Sequence, residues 1–183
     1  MVDISEYMKN YRPELHAIIF DWGNTIMRVF PDQPGPMAFW PLVQCEAEIN
    51  NVLSALHGMY QLALCTNASD SDQRLVREAL ARVELEHYFD EVLTPHELKA
   101  FKPAPDFFFN ALKKIEVEPE RAIFIGDDYT NDIVAAKQIG LWTVWYNNRR
   151  QPIEIGGYPY HDIEIAHLSE ILSFIHHKFN QRA

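Results

Sequence analysis

The 183-residue chain is short of cysteine, of positive charge and of long apolar runs, and each shortage excludes a class of protein. Its two cysteines, Cys45 and Cys65, lie inside apolar stretches and form no CxxC pair. Two thiols cannot build a disulfide scaffold, so the expected setting is reducing and cytoplasmic. No apolar run approaches the ~18–20 residues that a membrane-spanning helix needs. Residues 1–13 carry Asp3, Glu6, Lys9 and Arg12 and no apolar core, which argues against a signal peptide. Sixteen basic residues face 26 acidic ones, for a net charge of −10. That sign repels phosphate backbones and predicts no nucleic-acid partner and no membrane partner. Internal repeats and low-complexity segments are also missing. What remains is an ordinary globular composition, 48% apolar and 23% charged, at a length that suits one domain.

Short apolar runs alternate with longer stretches of helical periodicity. Strand candidates occupy residues 16–20, 61–65, 90–93, 122–125 and 141–146. They end at Asp21, at Thr66, and at Gly126-Asp127 in the first, second and fourth cases. Runs without alternation suit strands covered on both faces, as in parallel sheets. Helix candidates span residues 43–59, 70–83, 106–115, 130–139 and 167–179, the third opened by Pro105 and the fourth closed by Gly140. The alternation predicts βαβ units and an α/β fold with a central parallel sheet of about five strands. Residues 28–41 and 147–162 are rich in proline or glycine and are expected to be irregular. Parallel sheets bind ligands beyond the carboxyl ends of their strands, where these stretches and the polar strand-end residues meet.

An aspartate such as Asp21 at one strand end is ordinary turn chemistry. It gains meaning from the other ends. Thr66-Asn67 offers a hydroxyl and an amide, Lys102 is a cation between Phe101 and Pro103, and Asp127, Asp128 and Asp132 bring three carboxylates within six residues. Hard cations such as Mg²⁺ take carboxylate oxygens together with a substrate phosphate. Asp21 with Asp127 and either Asp128 or Asp132 supplies such a set. Thr66, Lys102 and local backbone N–H groups can hold the remaining phosphoryl oxygens. A carboxylate beside a metal and a phosphoryl group can also be the nucleophile.

Asp-x-x-x-Thr after an apolar strand, a strand-end Thr, Lys-Pro, and Gly-Asp-Asp-x-x-Asn-Asp, in that order, resemble the haloacid dehalogenase superfamily. Each motif alone is weak, and the four in order are strong. The motif-bearing core is about residues 16–146 of a single 1–183 domain. The resemblance implies a Rossmann-like three-layer sandwich, an Mg²⁺ cofactor, and an Asp21 nucleophile that forms an aspartyl-phosphate. It implies metal ligation by Asp21, the Gly23 backbone carbonyl and Asp127, with Asp132 a further ligand or the partner of Lys102. Thr66 and Lys102 would hold the phosphoryl group, with Asn67, Gly23 and Trp22 lining the phosphate or substrate side and Thr25 orienting the nucleophile. Asp128 falls at a position that varies in the family.

The chain departs from the family at Gly23, where phosphatases usually carry an aspartate that moves the leaving-group proton. Acid–base help is worth about 10²–10⁴-fold, so slow ester cleavage is expected. The gaps between motifs leave no room for a separate cap domain, and the open sites of capless members accept large substrates. The expected activity is that of an Mg²⁺-dependent phosphatase on a phosphorylated substrate. The alternatives are a phosphate- and metal-binding regulatory module without hydrolysis and, third, a haloacid dehalogenase. Dehalogenases of the family work without metal and enclose a small substrate under a cap. The eight histidines show no ligand spacing, and Arg149-Arg150 reads as a solvated pair.

Overall fold

The computed structural model describes residues 14–153 and 159–180. The part of the irregular stretch that falls at residues 154–158 lies outside them. Six strands form one sheet: β1 (Ala17–Phe20), β2 (Gln61–Cys65), β3 (Glu91–Leu93), β4 (Ala122–Gly126), β5 (Trp142–Tyr146) and β6 (Ile163–Ile165). Their order is β3-β2-β1-β4-β5-β6, and every neighbouring pair is parallel. The expected five strands are all present. The sixth is a three-residue edge strand, Ile-Glu-Ile, whose brevity hides it in the sequence.

Strand alternation splits the core in two. Ile18, Phe20, Leu62, Leu64, Ile123 and Ile125 face one helical layer, and Ala17, Ile19, Ala63, Cys65, Ala122 and Phe124 face the other. The first layer holds α1 (Ile49–Leu56), α2 (Gln73–Ala81) and α6 (Glu170–Ile175). The second holds α3 (Pro95–Leu98), α4 (Pro105–Ile115) and α5 (Ala135–Gln138). This is the expected three-layer, Rossmann-like sandwich. The chain winds outward from β1 through β2 to β3, then returns to place β4 on the other side of β1. The order therefore reverses between β1 and β4, where a crevice opens at the carboxyl ends.

Four of the five helices are shorter than their periodicity predicts, and in two the local cause is visible. Residues 43–48 join no helix because Cys45 bridges antiparallel to Met27 and the Glu46 N–H donates to the Ile26 carbonyl at 2.8 Å. Glu48 then takes a left-handed φ of 67°, so α1 begins only at Ile49. Before α5 the chain makes a wider π turn over Tyr129–Val134. No element among the described residues between β1 and β2, or between β2 and β3, builds a second sheet or bundle. The proline-rich stretch is irregular as expected. Its middle is tied down by Arg82, whose guanidinium donates to the carbonyls of Ala38 and Trp40 at 2.9 and 2.7 Å. Arg82 caps the carboxyl end of α2, so the middle of this loop is tied to that end of the helix. Trp40 is the buried anchor and Phe39 is exposed. Among the described residues, no helix is long and apolar enough to cross a membrane.

Candidate active site

The β1–β4 register pairs Phe20 with Ile125, and the Asp21 N–H continues the ladder to the Ile125 carbonyl at 2.8 Å. Asp21 thus leaves the sheet beside Gly126, at the switch point. The Trp22 carbonyl accepts both the Ile26 and Met27 N–H groups at 2.9 Å, which closes a tight turn. Asn24 stands there at a φ of 55° and its side-chain oxygen accepts the Val29 N–H at 3.2 Å. The turn folds Thr25 back onto the strand end, where its hydroxyl donates to Asp21 Oδ2 at 3.2 Å.

On the β4 side the π turn brings Asp132 inward. Asp128 caps this turn: its carboxylate accepts the Thr130 and Asn131 N–H groups at 3.1 and 2.9 Å and the Asn131 amide at 2.7 Å. Asp128 is thereby committed to the backbone, and Asp132 is the carboxylate that joins Asp21 and Asp127. One oxygen from each of Asp21, Asp127 and Asp132 lies within 4.8 Å of the others. Gly126 makes this approach possible, because a Cβ there would stand 2.6 Å from the Asp132 Cβ and overlap its carboxylate. The Trp145 indole N–H donates to the Asp127 carbonyl at 3.1 Å and fixes that residue from β5.

Lys102 enters from the loop before α4 and is almost wholly buried. Its Nζ donates to Asp21 Oδ1 at 2.5 Å and to Asp132 Oδ1 at 2.7 Å, with the Phe124 and Phe107 rings 5.5 and 5.8 Å away. Asn67 holds that loop. Its side-chain oxygen accepts the Lys102 N–H at 2.8 Å and its amide donates to the Lys102 carbonyl at 3.0 Å. One N–H of the Asn67 amide and its carbonyl oxygen are thus given to the Lys102 backbone, and the second amide N–H remains to donate. Thr66 lies buried at the end of β2, its hydroxyl oxygen accepting the Ala68 N–H at 3.1 Å and its proton left to donate.

The electrostatics follow from burial. Desolvation and the neighbouring Asp21 carboxylate push the Asp127 carboxyl up to about 7, against the pull of Arg149 and Lys102. Burial raises Asp132 to about 8 despite Lys102. For Lys102, burial opposes the charge, but Asp132 and Asp21 outweigh it and carry the ammonium above its ordinary range. A charged Lys102 needs at least one ionised carboxylate beside it, so the cluster as a whole carries more acid than its single cation offsets. That unbalanced set of hard oxygen donors fits a divalent cation. Cys65, next to Thr66, is no nucleophile: burial pushes its thiol up to about 12.

Trp22 is corrected outright. It is buried within the apolar core instead of lining a pocket mouth, and its indole N–H has no hydrogen-bond partner. His96 and the His176-His177 pair are exposed, as are Arg149 and Arg150. Beside Asp127 opens a cavity of about 440 Å³ lined by Asp128, Tyr129, Thr130, Trp145, Gln151 and Pro152. The roles of Asn67, Gly126 and Trp145 escape a sequence reading. A Thr-Asn dipeptide at a strand end and a glycine opening an acidic motif were the only signals.

A parallel sheet whose switch point carries an aspartate, a buried lysine and a carboxylate cluster is the architecture of a Rossmann-like hydrolase. Residues 38–146 match the model of the haloacid dehalogenase-like hydrolases, and the chain belongs to that family. The matched segment holds Thr66, Lys102, Asp127 and Asp132; Asp21 and Gly23 precede it. Glyceraldehyde 3-phosphate phosphatase from Pyrococcus furiosus is 33% identical over 99 residues, covering 54% of this chain and 41% of that protein. Phosphoserine phosphatase from Thermus thermophilus is 34% identical over 110 residues, covering 60% and 42%. The chain therefore spans about two fifths of the length of these curated relatives. An uncharacterized protein from Listeria monocytogenes serotype 4b shares the fold at a TM-score of 0.78 and 21% identity, covering 88% of this chain and 97% of that one.

Proposed function

We propose that the chain is a single-domain, Mg²⁺-dependent phosphatase that works through an aspartyl-phosphate on Asp21 in a cytoplasmic setting. The observation that carries this reading is the convergence of Asp21, Asp127 and Asp132 within 4.8 Å, with Lys102 Nζ bridging Asp21 and Asp132. Asp21, the Gly23 carbonyl and Asp127 would hold the metal, with Asp132 as a further ligand or the anchor of Lys102. Bound there, Mg²⁺ supplies a Lewis acid for the phosphoryl oxygens. Asp21, aimed by Thr25, attacks phosphorus. The Thr66 hydroxyl and the Lys102 ammonium hold the oxygens on which negative charge grows. Asn67 keeps Lys102 in place. The phosphatase names of two relatives support a phosphorylated substrate. Metal-free dehalogenation is the poorer fit, since it has no use for Asp127 beside Asp21.

Phosphate release from an aryl phosphate with Mg²⁺ tests the reading. Asp21→Asn should lose at least ~10³-fold in rate while keeping its fold, as expected for removal of a nucleophile. Equal activity in the two proteins overturns it. Gly23 favours one second reading, a phosphate-binding module without hydrolysis. Mg²⁺ or phosphate binding with no turnover on any phosphate compound would establish that one instead.

A further inference from the structure

Gly23 follows Asp21 by two residues, and the space beyond its Cα is taken. A Cβ built there would lie 3.0 Å from Val29 Cγ2, tighter than ordinary contact. The backbone is not what demands glycine, because the positive-φ glycines among the described residues are Gly35, Gly58 and Gly140. Val29 is held against Gly23 by the bond from its N–H to Asn24. A side chain at this position would have to displace the Val29 methyl, and the chain carries no proton-moving group there.

Among the described residues, the titratable groups gathered at Asp21 are those that the phosphatase reading assigns to the metal and the phosphoryl charge. The side chains bonded to Asp21 are Thr25 and Lys102, and the carboxyls gathered beside it are Asp127 and Asp132. His96 turns its Nε2 to the Ser69 carbonyl at 3.3 Å. His161 packs against the Tyr129 and Trp145 rings, 5.8 Å from each. The buried Glu46 sits 3.7 Å from Arg28.

Resting on the phosphatase reading, we propose that the site selects phosphoryl compounds whose leaving group departs without a proton, and that its substrate is an acyl phosphate. The anhydride P–O bond breaks as the Asp21 Oδ–P bond forms, and the carboxylate leaves with the electron pair. Water then attacks phosphorus, the P–Oδ bond breaks, and Asp21 is regenerated as inorganic phosphate departs with the water's protons. An alkyl ester would have to expel an alkoxide, a far stronger base, with no acid to protonate it. A phosphoanhydride also leaves unprotonated. The cavity beside Asp127, however, is walled by the acids Asp127 and Asp128, against which Arg149 acts on Asp127 from off the wall, and this excess of acid disfavours a second phosphoryl group. A single carboxylate is the smaller charge to place there.

The test compares kcat/KM for acetyl phosphate, a series of aryl phosphates of rising phenol pKa, pyrophosphate and glycerol 3-phosphate, with spontaneous hydrolysis subtracted. Acetyl phosphate should exceed glycerol 3-phosphate by at least ~100-fold and pyrophosphate by a smaller factor, with a steep fall along the aryl series. The Gly23→Asp/Val29→Ala protein, which clears the space for the acid, should gain at least ~10-fold on glycerol 3-phosphate and flatten that series. The wild-type series stands on its own if the double variant does not fold. Equal rates on acyl and alkyl substrates overturn the inference and leave the phosphatase reading intact. Faster pyrophosphate than acetyl phosphate overturns the acyl assignment. Mass analysis of acid-quenched enzyme separates the two levels: no phosphoryl group on Asp21 from any donor overturns the underlying reading and this inference with it.

Discussion

On the β4 side of Asp21 the charged groups are engaged: the buried Asp132 accepts from Lys102 and from the Asp128 N–H, the exposed Asp128 caps the π turn, and Trp145 pins the half-buried Asp127. On the β1 side, from Gly23 to Pro41, the chain offers a glycine, an exposed valine and a proline-rich loop tied to α2. Both sides flank the same carboxylate. One is built for holding charge near a phosphoryl group before any substrate arrives, which lowers reorganisation during reaction. On the other, the described side chain that bonds Asp21 is the Thr25 hydroxyl, and no titratable group of that segment does so. On the phosphatase reading, the contrast teaches that binding a phosphoryl group and protonating its leaving group are separable, because they rest on different strand ends.

Lys102→Met attacks the stronger half and should give the largest effect. Removing one partner of a buried ion pair costs about 3–5 kcal/mol, because the remaining charge is left unpaired. Here two carboxylates lose their cation. Turnover should fall by about 10²–10³-fold, the usual cost of losing a donor to developing charge. Without Lys102 the carboxyls favour their protonated forms still more in the folded protein. The stability deficit in a thermal melt should therefore shrink at pH 5 relative to pH 7.5. A deficit independent of pH would show that Lys102 acts by packing on Phe107 and Phe124 and not by charge.

How much of this was written in the sequence differs between the same two halves. The sheet was legible because five apolar runs carry no alternation; Asp21, Thr66 and Asp127 stood out because each ends or follows such a run, and Lys102 because it is a cation set between Phe101 and Pro103. The choice of Asp132 over Asp128 was not, since it depends on a π turn that one-dimensional spacing does not specify. Trp22 misled because adjacency to Asp21 says nothing about which way a side chain points off a tight turn. The part Asn67 plays in holding the Lys102 backbone was hidden for a related reason: an amide at a strand end can serve a ligand or a neighbouring backbone. The loss of acid at Gly23 was visible, but the Val29 methyl that fills its place is a contact only the fold creates. β6 and the start of α1 were hidden because pairing partners, and not local propensity, decide them.

Gly126→Ala tests whether the β4 half is as tightly specified as its bonds imply. The added methyl would overlap the Asp132 carboxylate, and overpacking of this kind costs about 1–3 kcal/mol. Displacing Asp132 also frees Lys102 from one of its two anchors. The expected result is a measurable loss of stability in denaturant melts together with weaker Mg²⁺ binding by calorimetry. A stable variant with unchanged Mg²⁺ affinity would mean that Asp132 is not needed where it stands. The β1 half gives a contrasting control, since Phe39→Ser at an exposed position of the proline-rich loop should leave both quantities within ~0.5 kcal/mol.

The smallest effect concerns pH. Asp127 is pushed up to about 7 by burial and by Asp21, so near neutrality the metal-free site binds a proton that an incoming cation must displace. Below that value the apparent Mg²⁺ affinity should fall by up to ~tenfold per pH unit, and above it the affinity should level off. The sign for stability runs the other way. A carboxyl raised in the folded state favours folding most at low pH, where it is protonated in both states, and that advantage fades as pH rises through about 7. Mg²⁺ should offset this loss, so the rise in melting temperature on adding Mg²⁺ should be greater at pH 8 than at pH 6. A Mg²⁺-induced rise that is flat across this range would show that Asp127 is already ionised at pH 6, and the β4 half would then hold charge more cheaply than its burial implies.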